Sequence, residues 1–163
     1  MRLKSYKIHA QPYIHEEQEP NRLSMNWNEI NHLSSLGHTI GCHGYKHVRL
    51  SSALTGEQLQ MEIQQSRVKI QDKTSQNIDV FCWIGGEFSS YSKAASDLIR
   101  VSGYEIGLMT CCQPVRSSSK KLNWHRFNVE GDFPIQQVRL ILGGMYTLMY
   151  KRKYKNVEKI TSL

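Results

Sequence analysis

Two histidines, His43 and His47, lie four positions apart and directly follow a short apolar run, Thr39 to Cys42. A single helical turn at this spacing would bring both imidazoles to one side, where they could share one metal ion. Such a pair alone is a weak signal, because seven histidines in 163 residues give this spacing by chance and most are ordinary surface side chains. The pair predicts a metal site only if its neighbours support one.

A second candidate segment is the apolar run Val80 to Ile84, which ends at two glycines, Gly85 and Gly86. The glycines can admit a ligand close to the backbone, or they can simply make a turn. The aromatic rings of Trp83 and Tyr45 can stack on a sugar ring, although core packing explains Trp83 at least as well. We therefore expect substrate contacts from these residues if the segment belongs to a site.

The elements that must position these residues begin with three helices. Asn26 with Glu29, and Thr55 with Gln58, have the spacing of capping boxes. Glycines stand at stop positions after the first and third helices, and apolar residues recur at helical spacing in all three. These apolar residues are Trp27, Ile30, Leu33 and Leu36, then Leu59, Ile63 and Ile70, and finally Ala94, Ala95, Leu98 and Ile99.

Short apolar or alternating runs between the helices predict strands. These runs lie at Tyr6 to Ile14, Thr39 to Cys42, Val80 to Ile84, Tyr104 to Leu108 and Phe127 to Val129. Strands that alternate with helices predict a parallel α/β sheet, which places its chemistry at the carboxyl ends of its strands. His43 and Gly85 both come directly after such strands, so both candidate segments lie where a site is expected.

The last part of the chain is predicted to add one helix and a tail. Asp132 is expected to cap that helix, although Gly143 and Gly144 within it weaken it by about 1 kcal/mol each. A basic cluster follows and predicts a solvated tail. We therefore divide the chain into one domain, residues 1–150, and a basic C-terminal tail, residues 151–163. The cluster consists of Lys151, Arg152, Lys153 and Lys155.

The overall composition restricts the class of protein. With 39% hydrophobic residues the chain can bury one core, and no apolar stretch approaches the roughly 18 residues of a membrane span. The net charge of +7 favours anionic partners, but no aromatic residues interleave with a basic groove, so nucleic acid is not expected. The first residues lack an apolar export signal, and the spacing of the four cysteines predicts free thiols. We therefore expect a cytoplasmic protein.

Three segments together resemble the polysaccharide deacetylase family, also called the NodB homology domain. They are G-H-T-I-G-C-H-G-Y-K-H at residues 37–47, F-C-W-I-G-G-E-F-S at residues 81–89 and S-G-Y-E-I-G-L at residues 102–108. The resemblance is strongest from Trp27 to Leu108. It implies an α/β fold, namely a distorted, incomplete (β/α) barrel of the polysaccharide deacetylase type.

The resemblance also implies a metal-dependent hydrolase that removes N-acetyl groups from a polysaccharide or glycan. In that family a histidine at a strand end and a second histidine four residues on supply two of three metal ligands, and His43 and His47 occupy those positions. A divalent metal is therefore implied, with zinc as the expected ion. The family's late histidine, which acts as general acid, would correspond to His125 in L-N-W-H-R.

This sequence departs from the family pattern at one serious point. The family's aspartate pair, which supplies the catalytic base and the third metal ligand, has no counterpart here. Glu87 beside the glycines is the nearest replacement, although a glutamate in a turn is usually solvated. We expect an impaired deacetylase, with a non-catalytic glycan-binding module or an inactive fragment as the alternative. Without the family's first strand, an exposed strand edge would also favour a homo-oligomer.

Overall fold

A three-stranded parallel sheet organises the computed structural model, which describes residues 25–161. In the sheet order β1-β2-β3, Phe81 pairs with Gly107, and Leu108 pairs with Trp124. Cys42 forms a parallel bridge with Phe81, so the segment before His43 lies beside β1. This arrangement confirms the predicted α/β fold with parallel strands. The strands are β1 (Val80–Cys82), β2 (Ile106–Met109) and β3 (Trp124–His125).

Helices precede, connect and follow these strands. The α-helices of the described residues are α1 (Trp27–Ser35), α2 (Gly56–Gln60), α3 (Ser66–Thr74), α4 (Lys93–Val101), α5 (Ile135–Leu142), α6 (Met145–Met149) and α7 (Lys151–Thr161). A π-helical turn, Met61–Gln65, joins α2 to α3 without a break, and short 3₁₀ turns cover Phe88–Ser90 and Lys121–Asn123. None of these helices is long and apolar enough to cross a bilayer.

The predicted capping boxes are confirmed. The Asn26 side chain accepts hydrogen bonds from the backbone nitrogens of Asn28 and Glu29 at 3.0 and 3.1 Å, and the Glu29 side chain accepts one from the Asn26 backbone nitrogen at 2.7 Å. At the start of α2, the Thr55 hydroxyl accepts a hydrogen bond from the Gln58 backbone nitrogen, and the Gln58 side chain accepts one from the Thr55 backbone nitrogen. Because these contacts satisfy amide groups that have no partner within the helix, they fix where each helix begins.

The two faces of the sheet have different surroundings. Alternation along the strands puts Phe81 and Met109 on one face, which we call the helix face, and both side chains are fully buried. Cys82, Leu108 and Trp124 point the other way, onto what we call the open face, and are half-buried. The core therefore lies on the helix face, and the side chains on the open face are less completely buried.

Hydrogen bonds and ring contacts fasten the helices to the helix face. The Tyr104 hydroxyl donates to the backbone oxygen of Ile63 at 2.8 Å, and the rings of Tyr104 and Phe81 lie 5.2 Å apart. The thiol of Cys42 lies 3.0 Å from the Ser66 hydroxyl. These contacts hold the π-helical turn and α3 against the strand ends that carry the candidate site.

Three predicted elements need correction. The third strand lies at Trp124–His125 and not at 127–129, because Arg126 N, the next donor along, bonds to Met109 O and completes the pairing with β2. The last predicted helix is two helices, since Gly144 adopts φ +88° between α5 and α6. Pro134, not Asp132, stands at the start of α5. The strand predicted near Tyr6 lies outside the described residues.

Most of the segment predicted as a basic tail, residues 151–163, is the helix α7. In α7 the side chain of Val157 is fully buried in the core, and the half-buried Tyr154 packs against the same core. The Ser96 hydroxyl donates to the Thr161 backbone oxygen at 2.8 Å, which ties α7 to α4. Lys151, Arg152 and Lys155 are exposed, whereas Lys153 is half-buried and donates to the Thr110 backbone oxygen at 3.0 Å. The basic cluster therefore belongs to a packed helix and not to a solvated tail.

Candidate metal centre

His43 is held in one orientation by the backbone of β1. The side chain is only 3% exposed, and its Nδ1 lies 2.7 Å from the carbonyl oxygen of Cys82. Because a carbonyl oxygen can only accept a hydrogen bond, Nδ1 carries the proton. In the neutral ring the lone pair is then on Nε2, which is the form of histidine that binds metal ions.

His47 brings a second imidazole to the same point. Its Nε2 lies 3.2 Å from Nε2 of His43, and the two ring centroids are 4.9 Å apart at 66°. Two imidazole nitrogens on one tetrahedral ion, each at about 2.05 Å, would be separated by about 3.3 Å. The pair therefore fits one zinc ion, although the same separation also suits a direct hydrogen bond between the rings.

The connection between the two histidines is a loop and not the helical turn that their spacing suggested. His47 itself adopts φ 61°, in the left-handed region, and Gly44 adopts φ +87°. A side chain at Gly44 would also meet Glu62 and Ile84, because an added Cβ would lie 2.6 Å from an atom of each. Glycine is therefore required at this position both by the backbone conformation and by the space available.

A buried carboxylate supports this loop from the π-helical turn. Glu62 is only 2% exposed, and its side chain accepts hydrogen bonds from the backbone nitrogens of Tyr45 and Lys46, each at 2.9 Å. These two amides lie between the metal-ligand candidates. Sequence reasoning missed Glu62, since a glutamate in an amphipathic helix is expected on the solvent side. The signal for a special site is its position within a π-helical turn, which only the structure shows.

The glycine turn after β1 is built as a tight corner. Gly85 adopts φ +77°, and a Cβ on Gly86 would lie 2.6 Å from the Thr110 hydroxyl oxygen. That hydroxyl donates to the Gly85 backbone oxygen at 3.0 Å. Both glycines are thus needed for the turn itself, and any substrate contact by them remains a prediction.

Glu87, the candidate replacement for a missing carboxylate, forms an exposed ion pair. Its side chain accepts a hydrogen bond from Arg49 Nε at 3.0 Å and one from the Ser90 hydroxyl at 2.8 Å. The hydrogen bond from Arg49 is the main reason that the pKa of Glu87 lies well below its usual range. A carboxylate that is held ionised by a cation is a poor acceptor for the proton of a reacting water.

The two aromatic candidates have different surroundings. Tyr45 is half-buried, and its hydroxyl accepts a hydrogen bond from Lys69 Nζ at 3.2 Å. Trp83 is 2% exposed and packs against Phe81 and Tyr91, with ring centroids 6.3 and 5.1 Å away. Trp83 therefore packs in the core, which was the alternative that the sequence left open, and its ring faces are not accessible to a sugar.

His125 lies away from the histidine pair. It follows Trp124 on β3 and pairs with Met109, so alternation places its side chain on the helix face. Its Nε2 lies 3.3 Å from Glu158 on α7, and its ring packs edge-on against Tyr154. The structure thus brings His43 and His47 together and leaves His125 in contact with the C-terminal helix.

Among the described residues no group of three or more histidine, cysteine, aspartate or glutamate side chains is placed to hold a metal ion. Within these residues the candidate metal ligands are therefore the two histidines, His43 and His47. Catalytic zinc sites usually have three protein ligands and one open position, so two imidazoles alone bind zinc weakly.

Comparisons with known proteins agree with this architecture. The sequence model of the polysaccharide deacetylase family matches residues 2–107. The structure is similar to that of the deacetylase PplD from Streptococcus pyogenes, solved in complex with acetate, with a TM-score of 0.63 and 13% sequence identity over 77% of this chain and 54% of that chain. No curated protein matches the chain significantly.

A second similar structure is BC0361, a polysaccharide deacetylase from Bacillus cereus, with a TM-score of 0.59 and 15% identity over 75% of this chain and 38% of that chain. At this identity the two structures show the shared fold, and the present chain spans about half or less of each. The match of the family model includes both histidines, the glycine turn and the start of β2. On this match, over more than half of its length, the chain belongs to the polysaccharide deacetylase family.

Proposed function

We propose that this protein binds a divalent metal, with zinc as the expected ion, through His43 and His47, and removes N-acetyl groups from a polysaccharide or glycan. The observation that carries the proposal is the 3.2 Å separation of the two Nε2 atoms. It is supported by the contact of His43 Nδ1 with the Cys82 carbonyl, because such a second contact sets the tautomer and orientation of a metal-binding histidine.

The residues of this chain would contribute mainly by holding the ligands in place. Glu62 fixes the loop that carries His47, and the backbone of β1 fixes His43. A bound zinc ion polarises a carbonyl oxygen and lowers the pKa of a water molecule. Proton transfer to and from the reacting groups additionally needs a positioned base and acid.

The surroundings of the carboxylates near the histidine pair lead us to propose low activity. The aspartates of this sequence are Asp72, Asp79, Asp97 and Asp132, all after the histidine pair. Glu87 is engaged by Arg49, and Glu62 is engaged by backbone amides. We therefore expect slow acetate release from N-acetylated glycans.

Zinc uptake by matched variants tests the metal proposal. We expect one zinc ion per wild-type chain, loss of uptake in His43→Ala and in His47→Ala, and normal uptake in His32→Ala, because His32 is an exposed histidine of α1. Equal uptake by the wild type and both pair variants would contradict the metal site and would favour a hydrogen bond between the two rings.

An assay of acetate release distinguishes the deacetylase hypothesis from the alternative of a non-catalytic glycan-binding module. The zinc-loaded protein is incubated with oligomers of N-acetylglucosamine, and released acetate and bound glycan are measured together. Slow, zinc-dependent release supports the proposal. Glycan binding without any release would instead favour the alternative, a non-catalytic glycan-binding module.

The role of His125 is tested by His125→Gln in the same assay. Loss of a general acid would lower acetate release at unchanged thermal stability. Loss of the contact with Glu158 would instead lower the melting temperature. The position of His125 on the helix face favours the second result.

A further inference from the structure

The helices α5 and α6 expose several large apolar side chains to solvent. Leu142 at the end of α5 is 81% exposed, and Leu148 and Met149 in α6 are 69% and 65% exposed. Single exposed apolar residues are normal on a protein surface, but a group of them within one short segment indicates an interaction surface. The other exposed apolar residues of this segment are Ile135, Leu140 and Met145.

The exposed apolar residues of α6 lie on one side of the helix. Met145, Leu148 and Met149 are three and four positions apart, which is the spacing of neighbours on a helix surface. The opposite side of α6 is held against the protein, because the Thr147 hydroxyl donates to the Cys112 backbone oxygen at 3.3 Å. Packing therefore fixes which side of α6 faces the solvent.

The same exposed side continues into α7, where it carries cations. Only Tyr150 separates the two helices, and it takes part in helical hydrogen bonds in both directions: its nitrogen donates to Tyr146, and its oxygen accepts from Tyr154, each at 2.9 Å. The helical spacing is therefore kept across the junction. We call this continuous surface the outer side. Its exposed cations, which continue the spacing of three and four positions after Met149, are Arg152, Lys155 and Lys159.

The segment that forms the outer side is strongly basic. Residues 135–161 include six lysines and arginines and one acidic residue, Glu158. Glu158 is half-buried and accepts a hydrogen bond from Asn123 at 2.9 Å, on the side of α7 that packs against the protein. No ion pair between described residues includes the three cations of the outer side. Their charge favours an anionic partner.

We propose that the outer side of α6 and α7, together with Leu142, docks on the surface of a membrane that contains anionic phospholipids. The apolar end enters the boundary between headgroups and acyl chains, and the cations beside it contact the lipid phosphates. This pattern of apolar and basic residues is typical of helices that lie on a membrane. The proposal goes beyond the proposed function, because it requires neither a metal ion nor acetyl transfer.

Other occupants fit the outer side less well. A second copy of this chain would place cations against cations or against apolar side chains, and both arrangements are unfavourable. Nucleic acid would neutralise the cations but would leave the exposed apolar end without a partner. An anionic membrane satisfies both parts of the surface together.

Cosedimentation of the wild-type chain with lipid vesicles tests the proposal. One vesicle contains phosphatidylcholine alone, and the other contains equal parts of phosphatidylcholine and phosphatidylglycerol. We expect the chain to bind the mixed vesicles and to bind phosphatidylcholine at least about tenfold more weakly. Added salt should weaken the binding to the mixed vesicles, because it screens the attraction between the cations and the lipid phosphates.

Variants test the apolar and the basic part of the surface separately. Leu148→Ser should lower the partition coefficient on mixed vesicles about tenfold, and Lys155→Gln should lower it about fivefold. Leu36→Ser and Lys73→Gln are matched controls, because they change exposed residues of the same types on α1 and α3. Both controls should bind within about twofold of the wild type. Circular dichroism shows that each variant is folded.

Three results would overturn the proposal: no binding of the wild type to mixed vesicles, equal binding to both vesicles, or equal binding by Leu148→Ser and Leu36→Ser. A wild-type dimer that Leu148→Ser converts to a monomer, measured by light scattering, would assign the surface to a second copy instead. The His43→Ala, His47→Ala double variant should lose zinc uptake and keep vesicle binding. Either proposal can therefore fail while the other stands.

Discussion

At the scale of single residues, the site depends on groups that never touch a ligand. Glu62 holds two backbone amides of the loop between His43 and His47, and the Cys82 carbonyl holds the His43 ring. If the imidazole rings could adopt several rotamers and tautomers, metal binding would have to restrict them, and this restriction would lower the affinity. The Glu62 carboxylate and the Cys82 carbonyl restrict them already in the folded protein.

Replacing Glu62 should weaken both the fold and the proposed metal centre. Glu62→Ala leaves the amides of Tyr45 and Lys46 without their acceptor, and we expect the free energy of unfolding to fall by about 2 kcal/mol. Zinc affinity should fall at least about tenfold, as is usual when the support of a ligand is removed. Urea unfolding and zinc titration measure the two effects.

The matched control for this prediction is Glu57→Ala in α2, since Glu57 is exposed. It should change the free energy of unfolding by no more than about 0.5 kcal/mol. Glu62→Gln keeps one acceptor oxygen and should give an intermediate loss. If Glu62→Ala and Glu57→Ala were equally stable, the anchoring role of Glu62 would be refuted.

The thiols provide a second prediction at this scale. Burial raises the pKa of Cys42, and burial also raises the pKa of Cys111 to about 11. Because the thiolate is the reactive form, both residues should resist iodoacetamide at pH 8 in the native protein and react fully in urea. Peptide mass spectrometry measures the labelling, and rapid native labelling of Cys111 would disagree with its burial.

The sequence predicted part of this site. Spacing identified His43 and His47 correctly as neighbours, but it suggested a helical turn where the chain uses two left-handed residues, Gly44 and His47. The role of Glu62 was not predicted, because the backbone amides that it binds, those of Lys46 and Tyr45, are 16 and 17 residues away in the sequence. Local patterns carry no signal for a buried charge that is satisfied by distant backbone amides.

At the scale of elements, β2 packs so closely on the following chain that one of its positions must be glycine. A Cβ added to Gly107 would overlap the backbone oxygen of Leu122, in the 3₁₀ turn that leads into β3. The neighbouring atom is backbone and cannot rotate away. The closeness of these two segments sets the position of Trp124 and Arg126 on the open face.

Gly107→Ala should therefore be strongly destabilising, by about 3 kcal/mol, because the overlap can be relieved only if the 3₁₀ turn moves. Gly131→Ala is the control, since a Cβ there meets nothing within 4 Å. Thermal unfolding followed by circular dichroism measures both. Similar melting temperatures for the two variants would show that the turn adapts without cost.

Element prediction succeeded where local chemistry decides the structure. Asn26 and Thr55 have side chains that satisfy the first amides of their helices, so the helix starts were visible in the sequence. The third strand was placed at 127–129 because its true residues, Trp124 and His125, have no alternating pattern. Their strand geometry follows from pairing with β2, which a local pattern does not report.

At the scale of the whole molecule, α7 closes the helix face of the sheet. Val157 is fully buried, Asn123 donates to Glu158 at 2.9 Å, and His125 contacts the same carboxylate. These contacts join α7 to β3, and Arg126, the residue after β3, contacts the Cys82 sulfur on β1 at 3.4 Å. The segment was predicted as a tail because its many lysines outnumber the few apolar residues, such as Tyr154 and Val157, that pack against the core.

Introducing a charge on the buried side of α7 should therefore destabilise the whole domain and not only this helix. We expect Val157→Asp to lower the free energy of unfolding by about 4 kcal/mol, because it buries a carboxylate among apolar side chains. Lys155→Asp introduces the same side chain at an exposed position of the same helix and should cost less than about 1 kcal/mol. Urea unfolding measures both variants, and the indole signal of Trp124 in a proton–nitrogen correlation spectrum shows whether β3 is affected. If Val157→Asp left both the unfolding midpoint and that signal unchanged, α7 would be an appendage to the fold and not part of its core.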